Sequence, residues 1–398
     1  MPLRRGVVVK GRPERELPGP ASYVARTHPH VCFVAPHAWP VLAGDRTIEF
    51  VGGAEVQQSG LARLFAANGY RVSMICMDFG QPERVAIDGV TVHRAFRPDA
   101  GLPLLRFAHP RLTSMWRALE AAGADIYYCR AASMWVGVVA EYCRLRGKRA
   151  IYAGASDKDF VPQVGGQIRH GRDRWLYRRG LARVHAIVAQ NEQQRLDCLR
   201  VHGREARIVP SCYRLPASAQ AGQGADRVLW VGVMRAGKQP ELFLELAARL
   251  PHRRCVMVGG AAEGEAEVYE RVRARAAALP NVELTGFLTL AEVEDWFDRA
   301  RLLVNTSRFE GMPNTFLQAW ARGVPTVATV DVGAPVQRVA SGVDALAGEA
   351  EGLLADAGRW TNASLACRAY FERTYSPAEA LGRYARLFDE LMPDSPTA

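Results

Sequence analysis

Twice along this chain a short, unbroken apolar run leads through a turn into a segment with helical spacing, and that repeated grammar restricts the fold more than anything else. The first run is His30-Val31-Cys32-Phe33-Val34-Ala35. A polar connection carries the chain through Phe50-Val51-Gly52-Gly53-Ala54-Glu55 to Leu61, Leu64, Phe65 and Ala66, which fall on one helical face. Gly69-Tyr70 closes that helix and Arg71-Val72-Ser73-Met74-Ile75-Cys76 reads as the next strand, giving one βαβ unit. Further strands are predicted at 90–93, 126–129, 150–153 and 186–189, with helical segments between them. The pattern restarts at Arg227-Val228-Leu229-Trp230-Val231-Gly232 and continues with strands over 255–260, 282–286, 302–304 and 325–329. Helices are predicted around 241–250 and 264–278 of this half. Such alternation implies α/β architecture, with mostly parallel sheets covered on both faces.

A chain of 398 residues is too long for one ordinary core and fits two doubly wound, Rossmann-like domains with a cleft between them. Read this way, residues 1–29 are a loose leader and 30–214 the first domain. Residues 215–226, poor in apolar side chains, are the linker. Residues 227–377 form the second domain, and 378–398 carry a last helical stretch ending near Leu391.

The chemistry is densest in Ser307-Arg308-Phe309-Glu310-Gly311-Met312-Pro313-Asn314-Thr315-Phe316-Leu317-Gln318. The apolar strand Leu302-Leu303-Val304 runs into this polar loop, and a short helix is expected to open at Pro313 and to stop at Gly323. A carboxylate beside free helix-start amides, at the carboxyl end of a buried strand, marks a ligand site that favours anions such as phosphate.

This stretch resembles the nucleotide-sugar signature of the retaining glycosyltransferases of family 4, whose fold is GT-B. That pattern has a Glu, then Gly-x-Pro-Asn or similar, then a helix and a second Glu after seven intervening residues. Glu310 matches the first position and Gln318 stands at the second. The resemblance implies that Glu310 lies near the donor sugar and diphosphate. It implies that Gly311, Met312, Pro313, Asn314 and Thr315 contribute to donor binding, and that Gln318 contacts the ribose. Gln can accept one hydroxyl hydrogen bond and donate another, without charge.

The resemblance also implies that 30–214 form the acceptor side, that 227–377 bind the nucleotide sugar, and that the helical stretch in 378–398 returns to the first domain. Other elements resemble the same family. Gly52-Gly53-Ala54-Glu55 matches its Gly-Gly-x-Glu turn, where a backbone lacking Cβ atoms approaches a diphosphate or sugar. In Gly232-Val233-Met234-Arg235-Ala236-Gly237-Lys238, Lys238 matches the family's Lys six residues after the Gly, and Arg235 supplies a second cation. Two cations beside a helix start would neutralise a departing nucleoside diphosphate without a metal. Gly286-Phe287-Leu288 resembles the segment whose backbone grips the nucleobase. Many members place a His near the donor sugar after a first-domain strand. Here Ser156 and Asp157 stand in that region and are assigned the sugar contact, with His37 a weaker candidate. The implied activity is transfer of a sugar from a nucleotide diphosphate to an acceptor hydroxyl with retention, in cell-surface polysaccharide or glycolipid synthesis. The nucleotide sugar is a co-substrate, and no cofactor or metal is implied. A GT-B relative that binds nucleotide sugars without turning them over is the alternative, favoured by Gln318 and by the missing His.

The net charge of +10 calls for anionic partners, among which phosphorylated donors and acceptors, an anionic membrane and nucleic acid all qualify. No nucleic-acid-binding motif is present, so that partner is not expected. The segment Gln167–Arg183 holds Arg169, Arg172, Arg174, Arg178, Arg179 and Arg183 around Trp175-Leu176-Tyr177. It reads either as a solvated helix face or as a surface for an anionic membrane carrying lipid-linked acceptors. With no run of eighteen apolar residues and no signal-peptide pattern, the expectation is a cytoplasmic protein, at most peripheral on the inner face of the plasma membrane. Eight scattered cysteines, without Cys-x-x-Cys or clustered His, suit reduced buried thiols. A nicotinamide-dependent dehydrogenase is a poor fit because no Gly-x-Gly-x-x-Gly follows a strand, Gly259-Gly260-Ala261-Ala262-Glu263-Gly264 failing at its third position.

Overall fold

The computed structural model describes residues 28–48, 52–101, 107–161, 168, 170–216 and 226–393. The leader expected over 1–29, Phe50-Val51 of the first turn, Gln167 and Arg169 of the basic segment, most of the linker and the last five residues lie largely or wholly outside these.

Within the described residues the first sheet has eight strands: β1 (Val31–Val34), β2 (Val72–Cys76), β3 (Arg84–Ile87), β4 (Val90–Arg94), β5 (Ile126–Arg130), β6 (Arg149–Ala153), β7 (Ala186–Ala189) and β8 (Arg207–Ile208). Their order is β3-β4-β2-β1-β5-β6-β7-β8, parallel except for β3 against β4. Six helices accompany it: α1 (Trp39–Ala43), α2 (Gly53–Ala67), α3 (Thr113–Ala122), α4 (Trp135–Arg146), α5 (Gly171–Leu181) and α6 (Glu192–His202).

The second sheet contains β9 (Arg227–Val231), β10 (Arg254–Val258), β11 (Val282–Leu284), β12 (Ala300–Asn305), β13 (Thr326–Ala328) and β14 (Gln337–Val339), ordered β11-β10-β9-β12-β13-β14. Its helices are α7 (Pro240–Arg249), α8 (Ala266–Ala277), α9 (Leu290–Asp298), α10 (Asn314–Trp320), α11 (Val343–Leu354) and α12 (Ala357–Thr374), followed by α13 (Pro377–Leu391).

The central strands are mostly apolar because helices cover both faces; β1 and β2 are buried at every residue. Each sheet reverses its winding once. In the first the reversal lies between β1 and β5, in the second between β9 and β12. In open α/β sheets the crevice outside the strand ends at such a reversal is where ligands bind. The fold is thus the expected pair of doubly wound domains.

Two crossings join them. Cys212 packs in a first-domain core and Tyr213 in a second-domain core, so the first passage occurs between adjacent residues, ahead of the composition-defined linker. The second runs from Tyr375 in the second-domain core to α13. That helix, capped by Ser376 with Pro377 in its first turn, lays Ala380, Tyr384, Leu387 and Phe388 on the first sheet. The two crossings meet where Tyr213 N–H donates to the Tyr375 carbonyl at 3.3 Å.

All eight cysteines are buried and unpaired. Gly180, within α5, has a steric cause. A Cβ on it would stand 2.6 Å from the Gly137 nitrogen, and one on Gly137 would stand 2.2 Å from the Leu176 carbonyl oxygen. The pair lets α4 and α5 cross in direct backbone contact.

Candidate active site

Two loops flank the winding reversal of the second sheet, one after β9 and one after β12. They are bound to each other. Thr306 Oγ1 lies 2.7 Å from the Lys238 carbonyl and 2.9 Å from that of Gln239, while accepting from Trp230 Nε1 at 2.9 Å. Arg308 N–H donates to the Gly237 carbonyl at 3.0 Å. Lys238 Nζ, on the last residue of a tight turn at Ala236–Lys238, ion-pairs with Glu310 Oε1. Gln239 next to it has φ +47°, a left-handed conformation that a non-glycine residue holds at a cost, and Pro240 then starts α7. Arg235 extends from the front of the same loop; it is exposed and carries no ion pair among the described residues.

The first domain meets this pair directly. Ser156 caps the short turn Asp157–Phe160 after β6, and the turn faces Gly311. A Cβ on Gly311 would lie 3.3 Å from Gln194 Nε2, 3.5 Å from Ser156 Cα and 3.6 Å from Asp157 Oδ1, a close fit against the first domain. Asp157 Oδ1 accepts from Gln194 Nε2 at 2.8 Å. Burial raises the Asp157 carboxyl above its ordinary range, hydrogen bonds from Gln194 and Asn191 oppose that, and the charges of Asp197 and Glu310 add to it. Lys158 sits over the exposed Phe309 ring at 5.1 Å. His37, in the turn after β1, is exposed.

Gly52 and Gly53 cap and begin α2, and no side chain caps that helix. Asn314, first residue of α10, donates Nδ2 to the Gly53 carbonyl at 2.9 Å. The two glycine- and proline-led helix starts therefore touch across the domain boundary. Pro313 is the extended cap (ψ 131°) of α10 and not its first residue, which moves the predicted start by one position. Met312 packs on the second-domain core, Thr315 is half-buried, and Gly323 takes φ +68° beyond the helix end.

Residues 225–364 match the family described as "Glycosyl transferases group 1", and residues 52–213 match the "Glycosyl transferase 4-like domain". The chain is a glycosyltransferase of the GT-B type. It is 29% identical over 259 residues to the lipopolysaccharide core biosynthesis mannosyltransferase LpsB of Rhizobium meliloti, spanning 61% of this chain and 68% of that protein. The sucrose-phosphate synthase structure from Thermosynechococcus elongatus superposes with TM-score 0.71 at 18% identity, covering 92% of this chain and 100% of that one. HepE of Anabaena, solved with UDP and glucose, gives TM-score 0.67 at 14% identity over 91% of this chain and 100% of its own.

One residue of this glycosyltransferase, Gln318, sits differently from what the sequence suggests. Gln318 is 3% exposed, and both hydrogens of its amide are spent inside the second domain, on Tyr213 Oη at 3.2 Å and Glu294 Oε1 at 2.9 Å. Tyr213 Oη also donates to Glu294 Oε1, and Arg322 donates to Glu294 Oε2 at 2.7 Å. Burial pushes the Glu294 carboxyl up, but Arg322, Tyr213 and Gln318 outweigh it and hold the group below its ordinary range. The signature's second position is thus part of an interior network reaching the domain crossing. Gly286, with φ +74°, accepts Gly259 N–H on its carbonyl at 3.0 Å; Phe287 abuts Gly260 and Leu288 packs on the core.

Thr306, Gln194, Glu294 and Gln57 were missed. Thr306 follows a strand end beside the signature and was legible in principle; the other three are polar residues inside helices, with no local mark. Among the described residues no group of three or more His, Cys, Asp or Glu is placed to hold a metal ion, and no helix is long and apolar enough to cross a membrane.

Proposed function

We propose that this glycosyltransferase moves a sugar from a nucleotide-diphosphate donor to an acceptor hydroxyl with retention of anomeric configuration, in the assembly of a cell-surface polysaccharide or glycolipid. The observation that carries the reading is the Lys238–Glu310 pair at the winding reversal of the second sheet, closed over by Ser156-Asp157 and Gly52-Gly53 of the first.

The difficult event is departure of the diphosphate while the anomeric carbon gains positive charge. Arg235, exposed and without an ion pair among the described residues, and Lys238 stand where that negative charge would gather, and fixed cations in a partly desolvated cleft stabilise it most when it is fully developed. Glu310 would orient both the lysine and the donor. Asp157, held by Gln194, would meet sugar hydroxyls from the acceptor side. No metal or cofactor enters this scheme.

The similarity to LpsB supports a polysaccharide or glycolipid setting and makes mannose-bearing donors the first to test; HepE adds glucose-bearing uridine diphosphate. In α5 the exposed Trp175, Arg178 and Arg179, with Arg179 over the Trp175 ring at 5.4 Å, form a basic aromatic face suited to anionic lipid. The test is release of nucleoside diphosphate from a panel of donors with mixed lipid-linked acceptors, followed by NMR of the product's anomeric centre. Inversion would discard the retaining assignment. Binding of donor without release would favour the non-catalytic alternative, to which the internally committed Gln318 lends support.

A further inference from the structure

Gln57 belongs to no sequence pattern that points to the cleft, yet its side chain is hydrogen-bonded to groups from two other parts of the fold. It lies on the inner side of α2 and is 3% exposed. Its Oε1 accepts from Cys212 N–H at 3.1 Å. The two hydrogens of Nε2 go to the Cys212 carbonyl at 2.9 Å and to Asn314 Oδ1 at 2.8 Å. Asn314 passes the connection on, donating its own Nδ2 to the Gly53 carbonyl at 2.9 Å. One primary amide therefore ties together the acceptor-side helix, the peptide at which the chain leaves its first core, and the first residue of the signature helix.

Only a carboxamide satisfies this arrangement. Glu would keep the acceptor but set a carboxylate against the Cys212 carbonyl and Asn314 Oδ1, and Met would leave all three partners without a bond. The register it maintains is tight. A Cβ on Gly311 would stand only 3.5 Å from Ser156 Cα and 3.6 Å from Asp157 Oδ1, so a small slip between domains moves Glu310 relative to the first domain.

We infer that Gln57 is a positioning residue for transfer: acting through Asn314, it holds the register in which Gly52-Gly53 face the start of α10 and Asp157 faces Glu310-Gly311. The inference rests on the cleft being the site of transfer. Misplacement of reacting groups by about 1 Å costs on the order of a hundredfold in rate, whereas the donor's charged partners, Arg235, Lys238 and Glu310, all belong to the second domain and keep their mutual geometry when the register slips.

The experiment compares Gln57→Met and Gln57→Glu with the unsubstituted full chain, using melting temperature to set an assay temperature at which all are folded. Expected are a kcat lower by about ten- to a hundredfold with the donor dissociation constant within about twofold, a larger radius of gyration by small-angle scattering, and faster hydrogen exchange in 53–60 and 312–318. Asn314→Asp, which keeps the acceptor for Gln57 and loses the donor to Gly53, should also lower kcat. An unchanged kcat together with an unchanged radius of gyration in a folded Gln57→Met protein overturns the inference, as does a lowered melting temperature with normal turnover. Should the unsubstituted protein turn over no donor, the functional reading fails by itself, and scattering and exchange still decide whether Gln57 holds the domains together.

Discussion

Lys238 and Glu310, 72 residues apart, meet as an ion pair between the two loops that bracket the winding reversal of the second sheet, with side chains 20% and 14% exposed. A pair this sheltered has two readings, a brace for the loops or part of the transfer machinery, and charge reversal separates them. Lys238→Ala and Glu310→Ala should each lower kcat/KM by about a hundredfold or more, measured by nucleoside diphosphate release, with melting little changed. The doubly swapped Lys238→Glu/Glu310→Lys protein restores the brace. It should recover any lost melting temperature and remain inactive; recovered transfer would reduce the pair to a brace.

At the signature's second position, a carboxylate is expected to harm this protein. Gln318 Nε2 lies 2.9 Å from Glu294 Oε1, so Gln318→Glu would place two buried carboxylates side by side. Arg322 already serves both Glu294 and Asp298. The variant should lose about 2–4 kcal/mol, read by urea unfolding of the second domain, and Glu294→Gln added to it should return most of that loss. A Gln318→Glu protein as stable as the parent would mean that the amide is not committed to Glu294.

The strands of both sheets were legible because burial on two faces leaves them almost wholly apolar, as in Val31–Val34 and Arg254–Val258. Those that escaped are short or at the edges: Arg84–Ile87 alternates between exposed and half-buried, and Arg207–Ile208 has two residues. At the site, Glu310, Lys238 and Gly311 were readable because strand ends, glycines and charges coincide in one local stretch. The partners of Gln57 and Gln318 were not. Such amides are chosen by what lies across the interface, Asn314 for one and Glu294 for the other, and nothing within a few residues of either records it.

The outer face of α5 offers Trp175 at 58% exposure beside Arg178 and Arg179. Each basic residue near an anionic bilayer adds about 1 kcal/mol of attraction. Arg178→Gln/Arg179→Gln should therefore weaken binding to phosphatidylserine-containing vesicles by about tenfold or more, in a sedimentation assay at low salt. Trp175→Ala should weaken it further and reduce the part that survives high salt. Binding unchanged by all three substitutions would leave α5 a solvated face.

His30 gives the fold a sensitivity to acid. It precedes β1, is 6% exposed, and its Nε2 pairs with Ser73 Oγ at 2.9 Å, with His93 Nε2 at 3.5 Å on the other side of that hydroxyl. Burial lowers its pKa to about 4; Arg71 adds to the effect and Asp125 opposes it. The unfolded chain takes up this proton near pH 6.5, the native state only near 4. Stability from this group is thus full above 6.5 and is lost as pH falls through that window, to a limit of about 3 kcal/mol. Burial depresses the His93 pKa too, so the same sign applies there. Urea unfolding at pH 7, 5.5 and 4 should show the parent losing stability and His30→Gln losing less, with His30→Gln/His93→Gln flatter still. A parent and a His30→Gln protein with parallel pH profiles would mean that His30 is already protonated, or already exposed, in the native state.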